Sequence, residues 1–274
     1  LAVQYELLPD AVWGDDTPIT TQDVLFSVEM GKDPASGVDN AEQYRRIDRV
    51  EIDGDKRFTL HLNKRTCDYQ GLSGLTLLPR HIEKPIFDLG AAEYRQRTAY
   101  DTDSTNPGLW HGPYRIAKVT PGQSILLQRN PHWWGKSPYF DEIEIRAIEN
   151  TAALTANLLA GDIDMIAGEL GLSVDQALAF QERYGDDYQI IYKPSLVYEH
   201  IDLNLDNPIL KDVRVRQALL YGIDRSLITE RLFQGKQPVA QSNVNPLDIR
   251  YDPDIPHYAY DPDKAAGLLD QAGW

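Results

Sequence analysis

The stretch from Tyr198 to Gly235 limits the possible folds more than any other part of this chain. It begins as a run with strand-like alternation, crosses Asn207-Pro208, and then changes period. Val215, Ala218, Leu219 and Ile223, and after them Leu227, Ile228 and Leu232, fall at helical spacing. Gly222 weakens the first helix near its end. Asp224 suits the N-cap of a second helix, Ile223 before it can pack on Ile228 as a hydrophobic staple, and Gly235 closes the unit. A strand-like run feeding two capped helices predicts a mixed α/β framework. The stretch holds no catalytic motif.

The rest of the chain keeps mixing the two periods. Leu1–Leu8 predicts a strand, and the Thr20/Asp23 capping-box spacing opens a helix with Val24, Leu25 and Val28 on one face. Residues 50–62 alternate around Asp53-Gly54, a hairpin signal. Residues 84–106 predict a helix and then a surface loop. A second hairpin is expected over 114–119 and 124–129 across Pro121-Gly122, followed by a strand within 140–148. Asn150 or Thr151 caps a helix ended by Gly161, and Asp162–Ile166 is expected to return as a strand. Such a helix between strands is the crossover unit of a parallel or mixed sheet. Ser173 and Gln176 open a further helix that Gly185 closes. Tyr188–Tyr192 and Val197–Leu205 are expected as strands. Asp261 and Pro262 begin the last helix.

Chemistry is sparse along this framework. The chain has 6 histidines, and none stands at H-E-x-x-H or another close metal-ligand spacing. Asp101, Asp103 and Thr105 open like a calcium loop, but Asn106 holds its sixth position and Gly112 its twelfth, which argues against calcium. There is no phosphate-binding glycine loop and no nucleophile elbow. Cys67 is the single cysteine, so an intramolecular disulfide is impossible, and nothing beside it activates the thiol. The formal charge of −15 argues against nucleic acid and against an anionic membrane face. No apolar run approaches the roughly 20 residues of a membrane span. Without a start Met, and with a folded element at its first residues, the chain is expected to be an internal fragment.

Five ordered segments resemble one family. Asp212-Val-Arg-Val-Arg-Gln-Ala-Leu219, followed by Gly222-Ile-Asp-Arg225, is similar to the extracellular solute-binding proteins of peptide and nickel ABC importers, family 5. Trp13-Gly-Asp-Asp-Thr-Pro-Ile-Thr-Thr-Gln-Asp-Val24 resembles a second signature, with Asp16 where the family usually has Gly. Gly112-Pro-Tyr-Arg-Ile116 with Asn130-Pro-His-Trp-Trp-Gly135 resembles a third, and the helix ending in Gly161-Asp-Ile-Asp a fourth. Tyr260-Asp-Pro-Asp-Lys-Ala-Ala-Gly-Leu-Leu-Asp-Gln-Ala-Gly-Trp274 resembles a fifth. Leu77-Leu-Pro-Arg-His-Ile82 looks like the family's L-P-x-H-I segment, where His81 is expected to be structural.

The resemblance implies a type II periplasmic-binding-protein fold of class α/β, two-lobed with mixed sheets and an additional small α+β subdomain, incomplete in this chain. It places residues 1–108 in the small subdomain, 109–204 in a segment of the first lobe and 205–274 at the beginning of the second. It implies the substrate-binding component of an ABC importer, a non-enzyme without cofactor or metal. Such a protein captures peptides or a related small solute outside the cytoplasmic membrane and delivers them to the permease. The expected protein is a monomer, periplasmic or extracellular, with lipid anchoring left open, and the fragment alone is expected to bind weakly or not at all. A secreted α/β hydrolase and a chemoreceptor-associated binding protein stay as alternatives.

Relatives use the run Tyr198-Glu-His-Ile-Asp-Leu-Asn204 at the cleft. Alternation puts Tyr198, His200 and Asp202 on one face, suited to a peptide's polar groups, with Asp202 near an ammonium. Trp110 and His111, just before Gly112-Pro113, are further ligand-binding candidates. Trp133 and Trp134 are expected in the core or at a rim.

Overall fold

The computed structural model describes residues 1–38, 41–65, 75–168, 171–193 and 195–274; Cys67 lies outside them. The chain forms two compact units, Leu1–Ile148 and Glu149–Trp274.

The first unit begins with strand β1 (Ala2–Glu6), helices α1 (Thr21–Lys32) and α2 (Ala41–Arg45), and the hairpin β2 (Ile47–Asp53) and β3 (Arg57–Leu62). The sheet order is β1-β3-β2 with both pairings antiparallel, so β3 is central. The hairpin turns at Gly54, whose φ of +76° favours a residue without a Cβ. Helix α1 opens on the full capping box: the Gln22 N–H donates to Thr20, and the Thr20 N–H donates to the Asp23 carboxylate at 2.7 Å. Its Val24 and Val28 pack with Tyr44, Ile47, Phe58 and Leu60. Phe26 and Met30 instead join Leu78 and Tyr94. A helix covered on two sides has no single apolar stripe, which is why its apolar residues run almost without interruption.

Asp23 also accepts the Arg80 N–H at 2.9 Å. It thereby caps helix α3 (Arg80–Phe87), whose own N-cap, Pro79, has no side-chain cap. Helices α4 (Ala91–Arg97) and α5 (Ala99–Thr102) follow, so this region holds three helices where the sequence pattern suggests one and a loop. Fully buried Glu83 explains their tight packing. It accepts from the Thr98 hydroxyl at 2.8 Å and the Ala99 N–H at 2.9 Å, at the start of α5.

A 3₁₀ turn (Pro107–Leu109) leads into β4 (Tyr114–Thr120), β5 (Ser124–Arg129) and β6 (Glu142–Arg146), an antiparallel sheet in that order. Buried Asn130 explains why Gly112-Pro113 and Asn130-Pro131 occur together. Its side chain donates to the Gly112 carbonyl at 2.9 Å, its backbone N–H donates to Pro113, and its Oδ1 accepts from His132. The start of β4 and the exit of β5 are thus tied by one side chain. Along β6 only Ile143 is partly covered, and Ile145 is 54% exposed, so both faces are open toward its end.

The second unit is helical among its described residues: α6 (Thr151–Ala160), α7 (Val174–Tyr184), α8 (Pro208–Lys211), α9 (Val213–Gly222), α10 (Arg225–Phe233) and α11 (Pro262–Ala272). The caps stand where the sequence puts them. Asn150, Asp224 and Asp261 accept first-turn N–H groups, and Gly161 ends its helix in the left-handed conformation; Asp212 and Gly273, which the sequence pattern does not single out as caps, do the same for α9 and α11. Ser173 and Gln176 form the expected capping box. Helix α11 packs on α9 through buried Val215, Ala218 and Ala265, and Arg214 donates to the Gln271 carbonyl.

Three expected strands are not formed. Asp162–Ile166, Tyr188–Tyr192 and Val197–Leu205 are extended or irregular segments without ladder partners among the described residues. Alternation marks the two faces of an extended run, but a strand also needs a neighbour to take its N–H and C=O groups. The parallel crossover expected around α6 is absent among the described residues for the same reason.

Candidate functional site

Tyr198, His200 and Asp202 lie together, as the two-residue period predicts. The Tyr198 and His200 rings stack with centroids 4.7 Å apart at 29°. His200 Nε2 approaches Asp202 Oδ1 at 3.2 Å. The row is open: the Asp202 side chain is 94% exposed and that of His200 46%. An aromatic face, an imidazole and a carboxylate in line offer a stacking surface, a switchable donor or acceptor, and a fixed acceptor for an ammonium or amide N–H.

Trp110 and His111 are held differently. The Trp110 indole N–H donates to the Ser104 carbonyl at 2.9 Å, and its ring meets the edge of Tyr100 at 5.6 Å. Its carbonyl accepts from the Gly14 N–H at 2.8 Å. His111 stands edge-on to buried Trp13 at 5.1 Å, and burial pushes its imidazole below the usual histidine range. The polar groups of Trp110 are therefore already engaged in the framework. Trp133 and Trp134 pack on each other at 4.5 Å, and the Trp133 indole N–H donates to Lys136, a rim arrangement.

One feature of the second unit has no sequence pattern to announce it. Leu196, Asn243, Val244, Asn245, Asp248 and Arg250 line a groove of about 320 Å³. Asn245 closes one side by donating to the Ser195 carbonyl at 2.6 Å, three residues before Tyr198. Side-chain and backbone hydrogen bonds from Arg250 hold the Asp248 carboxyl down to about 2. The groove joins a loop at 243–250 to the segment of Leu196 through a hydrogen bond that spans 50 residues, so no period exposes it.

The first unit carries the antiparallel hairpins, and the second carries capped helices, the open aromatic–imidazole–carboxylate row and the small polar groove. Over residues 1–274 the chain matches the family described as bacterial extracellular solute-binding proteins, family 5 Middle, and it belongs to that family. The family is one of solute-binding proteins rather than enzymes, and the fold class is that of type II periplasmic binding proteins. The chain is 28% identical to the oligopeptide-binding protein AppA of Bacillus subtilis, with 100% of this chain and 49% of AppA aligned. The structure of AppA in complex with a nonapeptide matches with a TM-score of 0.73, covering 100% of this chain and 53% of AppA at 25% identity. An oligopeptide-binding protein from Thermus thermophilus, complexed with a pentapeptide, matches with a TM-score of 0.69 at 26% identity, covering 100% of this chain and 51% of that one. NikZ from Campylobacter jejuni, in complex with Ni(L-His), matches with a TM-score of 0.75 at 26% identity, covering 99% and 52%. The chain spans about half the length of the curated relatives it matches.

Proposed function

We propose that this chain is part of the substrate-binding component of an ABC importer that captures peptides outside the cytoplasmic membrane and hands them to the permease. The observation that carries this reading is the match to a solute-binding family over the whole chain, with a relative named for oligopeptide binding aligned along all of it. Tyr198, His200 and Asp202 are the proposed ligand contacts, with Asp202 facing the ammonium end and the Tyr198 face stacking on a peptide plane. Trp110 and His111 are proposed to flank the ligand through ring faces. In the intact protein, residues 1–108 are assigned to the small subdomain, 109–204 to the first lobe and 205–274 to the start of the second, and the protein acts as a monomer.

The test is native mass spectrometry of the full-length protein purified without denaturation. A ladder of adduct masses matching short peptides is expected. A single discrete mass of another kind, such as a metal chelate of the type held by NikZ, overturns the peptide assignment. Turnover of an added peptide overturns the binding role in favour of a hydrolase.

A further inference from the structure

The turn Gly14–Thr17 in the first unit carries two adjacent carboxylates, and each meets a histidine from a different segment. Asp15 Oδ2 lies 3.0 Å from His81 Nε2, at the start of α3. Asp16 Oδ1 lies 3.3 Å from His132 Nδ1, in the segment tied to β4 and β5 by Asn130. The turn also donates its Gly14 N–H to the Trp110 carbonyl. Three separate parts of the unit therefore converge on four residues. We propose that the Asp15–His81 and Asp16–His132 pairs form a clasp set by pH, which mildly acidic solution tightens, fixing the segments that carry Trp110 and His132 against α3.

The chemistry follows from the groups present. Imidazole changes charge between about pH 5 and pH 8. A protonated imidazole beside a carboxylate makes a charge-assisted hydrogen bond, stronger than its neutral counterpart. Burial pushes the Asp15 carboxyl up, but hydrogen bonds from Thr17 and the His81 imidazole outweigh it and hold the group below its ordinary range. Asp15 therefore stays ionised through the mildly acidic range. Two other groups approach the turn. Lys56 donates to the Ala11 and Ile19 carbonyls on the flanking chain. His111 lies against Trp13, where burial pushes its imidazole below the usual histidine range. Asp16 reaches His132 because its backbone takes a left-handed φ of +70°. The clasp needs both a charged imidazole and a charged carboxylate, so its stabilisation falls away as pH rises through the histidine range. It falls away again in strong acid, as the carboxylates gain protons.

The test compares thermal unfolding of the chain with that of the double variant His81→Gln/His132→Gln, from about pH 8 to about pH 5.5. The other four histidines are present in both proteins and cancel in the difference. The midpoint of the wild type is expected to gain roughly 2–4 °C on the variant as the solution is acidified. Parallel curves overturn the proposal. Side-chain NMR titration gives a second readout that does not depend on the variant's stability. Loss of the partner carboxylates is the direct perturbation: in Asp15→Asn/Asp16→Asn the imidazole signals of His81 and His132 are expected to change across the acidification while that of His111 does not move. Imidazole signals of His81 and His132 that do not respond to loss of the carboxylates overturn the clasp.

Discussion

Gly31→Ala should destabilise the first unit, against the usual effect of replacing a helical glycine by alanine. Gly31 lies in the last turn of α1, where alanine is ordinarily worth about 1 kcal/mol more than glycine. Here a Cβ would stand 2.2–2.5 Å from three ring carbons of Tyr44. Unbonded carbons rest at about 3.5–4.0 Å, so the ring must retreat by more than about 1 Å. Tyr44 is fully buried among Val24, Val28, Ile47, Phe58 and Leu60, and its hydroxyl accepts the Thr76 N–H at 2.9 Å. Overpacking of this kind costs about 1–3 kcal/mol, and a stretched buried hydrogen bond adds up to about 1 kcal/mol. After the propensity gain, the net loss is at most about 3 kcal/mol and centred on about 1.5 kcal/mol, or roughly 3–6 °C in unfolding midpoint.

Tryptophan fluorescence is the suitable assay. Four of the 5 tryptophans, Trp13, Trp110, Trp133 and Trp134, belong to the first unit, so the signal follows that unit even if the two unfold separately. Gly267→Ala in α11 is the matched control. Its added Cβ meets no atom within 4 Å, so it should stabilise the second unit by about 0.5–1 kcal/mol, read by far-UV circular dichroism. A Gly31→Ala protein as stable as the wild type would refute the packing argument.

Glu83→Gln should cost about 1–3 kcal/mol in urea unfolding, because an amide offers one acceptor where Thr98 and Ala99 require two. Asp212, the N-cap of α9, is held down to about 2 by hydrogen bonds from the Arg214 guanidinium and backbone N–H. A depressed carboxylate stabilises above its unfolded value and loses that contribution as pH falls through the folded one, so helix content in the second unit should drop between about pH 4 and pH 2. Asp212→Asn should flatten that drop in a circular dichroism titration, and an unchanged slope would remove Asp212 as its source. In the full-length protein, Asp202→Ala should weaken binding of a free-amine peptide by about tenfold in calorimetry, while a peptide with a blocked amine should lose nothing. Equal affinities for wild type and variant would take Asp202 out of the site.

Local signals were legible in this chain and long-range ones were not. The capping residues Thr20, Asn150, Ser173, Asp224 and Asp261 act on N–H groups two or three residues away, so spacing alone locates them. Both hairpins follow for the same reason, with their pairing set by a turn of a few residues. Ladder partners, by contrast, come from anywhere in the chain, and Val197–Leu205 shows the consequence. Its alternation correctly predicts that Tyr198, His200 and Asp202 share a face, yet the run is not a strand. Asp23 hides a further role. Its place in the α1 capping box is visible in sequence, but its bond to the Arg80 N–H spans 57 residues. Without that bond, a helix beginning at Arg80 looks uncapped, which is why the sequence pattern starts a helix only at 84.

Asp16 joins these two scales. By sequence it departs from the glycine usual in the resembling segment, and glycine at such a point implies a left-handed backbone. Asp16 adopts that backbone anyway, at φ +70°, with its N–H donating to the Trp13 carbonyl at 3.0 Å. Aspartate tolerates this conformation better than most residues with a side chain, so the turn survives at a modest cost. What the substitution adds is a carboxylate that glycine cannot supply, placed beside His132. Asp16→Gly should therefore leave the turn and the neutral-pH stability nearly unchanged, within about 0.5 kcal/mol, as expected for a compatible surface position. Asp16→Val should cost about 1–2 kcal/mol, because a β-branched side chain resists the left-handed region. Asp16→Gly should also remove the part of the acid stabilisation that depends on His132 and keep the part that depends on His81. Full acid stabilisation in Asp16→Gly would show that the second carboxylate is a bystander.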